Sequence, residues 1–142
     1  MTQNQQGLQG AINPHVFFMP GVFNETMQLL QDAHEYFHKF GDDDRSRIDG
    51  ELQSLYSCEM SRITLRLSAI MAWLMVQRAV FNGKIEAEEA AERYGLDFKD
   101  ICTVDNRMLH GILPSYVCFL LDRSLELYER VLRLDEQFKS TH

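Results

Sequence analysis

Apolar residues recur along this chain at helical spacing, and the longest run is also the most regular. Between positions 50 and 82, Tyr56, Met60, Ile63, Leu67, Ile70, Leu74 and Phe81 follow a four-three-four-three step interrupted only by Gln77. A second stripe, Leu65, Ala69, Trp73, Val76 and Val80, runs beside the first. One narrow stripe suits one neighbouring helix, whereas two adjoining stripes require burial against two neighbours, as in a bundle. At 1.5 Å per residue such a helix is ~50 Å long, and Asn82-Gly83 is expected to end it. Gln77, standing inside the main stripe, is expected to fix helix register as a lone buried polar residue can.

The same periodicity predicts further helices on either side. A first helix reads from about residue 25 to 40, with Asn24 as N-cap and Gly41 as its stop. Met27, Leu30, His34 and Phe37 share one stripe on it, and Leu29, Ala33, Tyr36 and Phe40 the next. Ahead of it, residues 16–23 are apolar but broken by Pro20 and Gly21, a segment expected to pack on a surface without regular structure. Residues 41–50 read as a charged loop. A short helix over 86–94 opens with Glu86, Glu88 and Glu89, which complement the positive end of the helix dipole, and stops at Gly95. Residues 96–113 carry no sustained period and read as a loop with a turn or two. The last helix starts at Pro114, a favoured first-turn residue, and runs to about 139. Val117, Leu120, Leu127, Val131, Leu134 and Phe138 form one of its stripes, and Cys118, Leu121, Leu125, Tyr128 and Leu132 the other. Its outer face pairs Glu126 with Arg130 and Glu129 with Arg133 at i,i+4.

No stretch alternates as a strand does. The pattern therefore predicts an all-α fold, a three-helix bundle with an additional short helix. It divides the chain into a flexible N-terminal segment (1–22), the bundle domain (23–139) and a tail (140–142). Apolar stripes wider than three helices can cover must meet another copy or a partner, so a homodimer is expected.

Composition narrows the function classes. A chain of 142 residues makes one domain and buries enough surface to need no disulfide or metal staple. With 21 Asp and Glu against 14 Lys and Arg, the net charge is −7, which disfavours nucleic acid as a partner. Cys58, Cys102 and Cys118 form no CxxC pair and read as reduced thiols of a cytoplasmic protein. The first ten residues lack the basic start and apolar run of a signal peptide. The apolar stretch 67–76, bounded by Arg66 and Arg78, is shorter than the ~20 residues of a membrane span. Neither a membrane nor a cofactor is expected.

The longer polar-and-apolar strings carry a resemblance. The second helix reads Tyr56-Ser57-Cys58-Glu59-Met60-Ser61-Arg62-Ile63-Thr64-Leu65-Arg66-Leu67, continues Ala72-Trp73-Leu74-Met75-Val76-Gln77-Arg78-Ala79-Val80, and turns at Asn82-Gly83. The last helix reads Leu121-Asp122-Arg123-Ser124-Leu125, then Arg130 and Leu134-Asp135-Glu136. In this order, over residues 23–138, the chain resembles the RcdA family, the regulators of CtrA degradation of alphaproteobacteria. That resemblance implies a dimerising three-helix bundle that acts as an adaptor in regulated proteolysis. Such adaptors link the ClpXP protease, through its unfoldase and a priming response regulator, to cell-cycle cargo proteins and to other adaptors. Family members commonly carry a flexible C-terminal extension, which this chain, ending Lys139-Ser140-Thr141-His142, is expected to lack. A purely structural dimer without adaptor activity is the alternative that this departure leaves.

One motif points elsewhere. His34-Glu35-Tyr36-Phe37-His38 is a literal HExxH, in which two histidines at i and i+4 can grip a zinc ion and the glutamate can act as general base. Gly41 would permit a turn bringing Asp44 round as third ligand, making His34, His38 and Asp44 a candidate metal set for a metallopeptidase. Such enzymes also need a substrate-binding strand and an open pocket, and the pattern offers no strand, so helix-surface histidines are the expected reading and no catalytic residue is assigned. Asp42-Asp43-Asp44 lacks the alternating ligands of a calcium loop and reads as a solvated turn. Trp73 between Met71 and Met75 reads as core packing before a binding patch. Glu59, Arg62 and Arg66 are the partner-binding candidates, because their spacing of three and four places them on one strip of the second helix. Two arginines beside a carboxylate can present forked donors to a partner's acidic groups. An internal ion-pair network bracing the bundle is the alternative of equal standing.

Overall fold

The structure, a computed structural model, describes residues 19–105 and 107–141. Its axis is α3 (Gly50–Phe81), 32 residues long. Before it come α1 (Met19–Tyr36), a π-helical turn (Phe37–Gly41) and α2 (Asp42–Ser46). After it come α4 (Ala87–Arg93), α5 (Lys99–Cys102), a 3-10 turn (Arg107–Leu109) and α6 (Ser115–Thr141). Among the described residues there is no strand, only a single bridge between His110 and Leu113. The fold is all-α, with three long helices packed together and short helices in the connections.

The two stripes of α3 find the two neighbours they require. α1 packs on one side of α3 and α6 on the other, and α1 and α6 also touch. Tyr56, Met60, Ile63, Leu67, Ile70 and Leu74 are buried from the first stripe, Ala69 and Trp73 from the second, and Gln77 is buried at its place between them. Phe81, the last residue of α3, is exposed. By length and composition α3 could cross a membrane. Its apolar stripes are instead enclosed by α1 and α6, the arrangement of a core helix.

α1 starts earlier than its apolar period suggests. Pro20 and Gly21 lie in its first turn, where a missing N–H costs nothing because that group has no helical partner. Asn24 is therefore inside the helix and caps nothing, and the segment expected to be irregular is helical from residue 19. Residues 1–18 of the expected flexible segment lie outside the described residues, as does His142 of the tail. Val22, Thr26, Leu29, Ala33 and Tyr36 are buried on this helix, while His34 and Phe37, expected on a core stripe, are exposed. Phe23 and Leu30, beside that stripe, are half-buried against the same core.

Gly41 does not stop the first helix. The chain widens into the π-turn and continues as α2, so most of the expected charged loop is helical. Gly41 is buried there, and a Cβ on it would lie 3.9 Å from the Tyr56 hydroxyl. α4, α5 and the 3-10 turn fall where a short helix and a turn-bearing loop are predicted, and α6 begins one residue after Pro114. α6 buries both of its predicted stripes apart from Leu132 and Leu134, which are half-buried, and it buries Ser124 and Asp135 besides.

Candidate functional site

The polar residues of α3 build an internal network. Glu59 and Arg66 are each only 1% exposed. The Arg66 Nε–H donates to the Cys102 carbonyl at 2.8 Å, and Nη2 donates to the Val104 carbonyl at 2.8 Å. Its Nη1 donates to the Leu121 carbonyl at 3.0 Å and to Ser124 Oγ at 3.1 Å. Arg62 grips Glu59 with both prongs of its fork, Nε to Oε2 at 3.0 Å and Nη2 to Oε1 at 3.2 Å, and Nη1 donates to the Ile101 carbonyl at 2.7 Å. Burial, followed by the like charge of Arg62, pulls the Arg66 guanidinium below its usual range. The hydrogen bond to Glu59 pushes Arg62 above it.

The chemistry of this arrangement is structural. α5 has four residues and cannot hold itself together. Its last carbonyls and that of Val104 are instead caught by two arginines of α3, and Arg66 reaches on to α6. The strip expected to face a partner thus faces inward, with Glu59 and Arg66 in the interior and Arg62 at its edge. Spacing alone places the three residues on one strip, but it cannot show that the aperiodic segment 96–113 folds over that strip.

Two more polar centres brace the bundle. Asp135, buried on α6, accepts the Trp73 indole N–H at 3.0 Å, the Leu96 backbone N–H at 3.2 Å and an ion pair from Lys139 at 3.2 Å. Trp73 also packs edge-on against Phe138. At the other end the Tyr36 hydroxyl donates to Asp44 at 2.6 Å and lies 2.9 Å from the Tyr56 hydroxyl. Burial first, then the bond to Asp44, raises the Tyr36 phenol far above its ordinary value, and burial raises Tyr56 and Tyr128 as well. An apolar period passes over polar members, so it does not mark Ser124 and Asp135 as interior. Their positions in register with Leu120, Leu127, Val131 and Phe138 are the signal that could have found them.

The candidate metal set does not come together. His34 and His38 are exposed and touch edge-to-face, ring centroids 4.7 Å apart. Asp44 is held by Tyr36, because Gly41 continues the helix where the third ligand would need a turn. Among the described residues no three His, Cys, Asp or Glu side chains gather as a metal would require. The Asp42-Asp43-Asp44 run forms the helical first turn of α2, with Asp42 and Asp43 exposed to solvent as expected.

Two outward surfaces have a composition suited to docking. Along α3, Ser57, Cys58, Ser61, Thr64, Ser68, Ala72 and Met75 are exposed, and this face is uncharged because Glu59, Arg62 and Arg66 turn away from it. Where α1 and its π-turn meet α6, a cleft of about 460 Å³ is lined by Asp32, Glu35, Tyr36, Lys39, Phe40, Asp44 and Tyr116.

This bundle has a counterpart among solved structures. The crystal structure of RcdA from Caulobacter crescentus CB15 superposes with a TM-score of 0.68 at 31% sequence identity, over 85% of this chain and 90% of that one. The chain belongs to the RcdA-like family. A family model described as "Protein of unknown function (DUF1465)" also matches it, over residues 13–142. No curated protein matches by sequence. The RcdA-like assignment covers all three long helices, so the inward arginines belong to a scaffold whose fold has an experimental counterpart.

Proposed function

We propose that the protein is a non-enzymatic adaptor that works in the cytoplasm as a homodimer, binding cell-cycle regulators and delivering them to the ClpXP protease. The observation that carries this reading is the likeness to RcdA across the whole bundle. The internal chemistry supports it: the buried polar side chains of α3 and α6 hold connections and helices, which leaves the outer faces to do the work. An adaptor acts by raising the local concentration of cargo at the protease, which needs two docking surfaces and no reactive group. The unfoldase, its priming response regulator and the cargo are the implied partners.

In this reading the homodimer forms through the outer face of α3. Small uncharged residues from Ser57 to Ala72 let a second copy of the helix approach closely without burying a charge. Sedimentation of the full chain is expected to give a dimer, and S61E with S68E, exposed positions on that face, is expected to give a folded monomer. A monomeric wild-type chain would remove this interface. Immobilised wild-type protein is expected to retain purified unfoldase in the presence of its priming regulator. Retention of neither defeats the adaptor reading and leaves the structural dimer.

A further inference from the structure

The cleft between α1 and α6 has a composition that selects its occupant. Its wall is a run of aromatic rings: Phe40 lies against Tyr36 with centroids 6.4 Å apart and Tyr36 against Tyr116 at 5.3 Å, and Phe119, outside the cleft, stacks on Tyr116 at 5.7 Å. Phe40 is 56% exposed, Phe119 47% and Tyr116 39%, an unusual amount of bare aromatic surface for one end of a small bundle. The rim is acidic, with Asp32, Glu35 and Asp44 against the single ammonium of Lys39. Asp44 is taken by Tyr36, and Asp32 accepts one bond from the Gln28 amide at 3.0 Å. Glu35 and the remaining lone pairs of Asp32 are not matched by a cation within ion-pair distance among the described residues, and both carboxylates act on the Tyr116 phenol.

The π-turn builds this surface. An extra residue in the helical turn at Phe37–Gly41 rotates the chain beyond it, and Phe37 and Phe40 both emerge on the outside instead of continuing the core stripe. Such insertions recur at functional positions. The cleft volume also falls in the ~300–1,000 Å³ range of binding pockets. Aromatic faces attract cations through their quadrupoles, and a planar guanidinium can stack on a ring while its fork meets carboxylates.

We propose that this cleft docks an arginine-bearing segment of a partner protein, the guanidinium stacking on Tyr116 and Phe40 and facing Asp32 and Glu35. The inference rests on the adaptor reading for the claim that the occupant is a protein. The charge pattern itself selects arginine over an acidic or purely apolar segment.

The test uses the full chain and a fluorescein-labelled peptide of leucine, alanine and arginine, beside matched peptides with glutamine or glutamate in place of arginine. The arginine peptide is expected to bind and the glutamate peptide not to. D32N with E35Q, and separately F40A, are each expected to weaken binding roughly three- to tenfold, with an unchanged thermal unfolding midpoint showing that the fold is intact. Failure of the arginine peptide to bind overturns the proposal. Equal binding of the glutamine peptide, or indifference to both variants, does the same. Loss of self-association in F40A would assign the cleft to a second copy and also overturn it. None of these outcomes bears on retention of the unfoldase, so the adaptor reading stands or falls separately.

Discussion

Arg66 shows how much one buried side chain can hold. Four acceptors, the carbonyls of Cys102, Val104 and Leu121 and the Ser124 hydroxyl, converge on its guanidinium, and each loses a donor without it. R66M is expected to lower unfolding free energy by about 2–4 kcal/mol, because it takes a charged donor from several buried acceptors at about 1–3 kcal/mol each, read by urea denaturation. R66K keeps the charge but supplies a point donor in place of the planar fork, so it is expected to recover only part of the loss. The buried phenols make a separate prediction. Tyr36, Tyr56 and Tyr128 all ionise with more difficulty in the fold than the ordinary value of 10.0. Their contribution to stability is fully present below pH 10 and is lost as pH rises further, because the unfolded chain gives up these protons first. Chemical denaturation between pH 9 and 11, about one unit either side of the free phenol value, is expected to show stability falling at the alkaline end, with a shallower fall in Y128F.

At the scale of elements, legibility follows periodicity. α3 is readable to within a residue because thirty-odd positions repeat one spacing, and its two stripes correctly demand two neighbours. α6 is readable for the same reason. The start of α1 is not, because Pro20 and Gly21 look like breakers although a first helical turn accepts both. The π-turn is not, because Gly41 signals a stop only when its conformation is left-handed, and here it stays helical with φ −59°. The site suffers most: Glu59, Arg62 and Arg66 stand out as a set, but their direction depends on α5, whose four residues carry no period. The joint between α4 and α6 offers its own test. Asp135 satisfies both Trp73 and the Leu96 N–H, so D135A is expected to cost about 2–4 kcal/mol by stranding two buried donors. Faster amide exchange at Leu96 should accompany that loss. Unchanged exchange there would show that the bond does not hold the joint.

For the whole molecule, the inward charges of α3 and its uncharged outer face are two sides of one arrangement. The two arginines that clamp α5 to α3, with the Glu59 that braces Arg62, leave the outer face of α3 uncharged, and the aromatic cleft opens at the far end of α1. Under the adaptor proposal, partners are therefore expected to be met on outward surfaces, with the arginine network left in place. Hydrogen–deuterium exchange of the full chain, alone and with purified unfoldase plus its priming regulator, tests this most directly. The expected result is added protection on outward segments, with the amides of residues 59–66 equally slow in both samples. Protection gained nowhere, or exchange speeding up across residues 59–66 as partners bind, would contradict the account, the latter by showing that the arginines are released to make the contact.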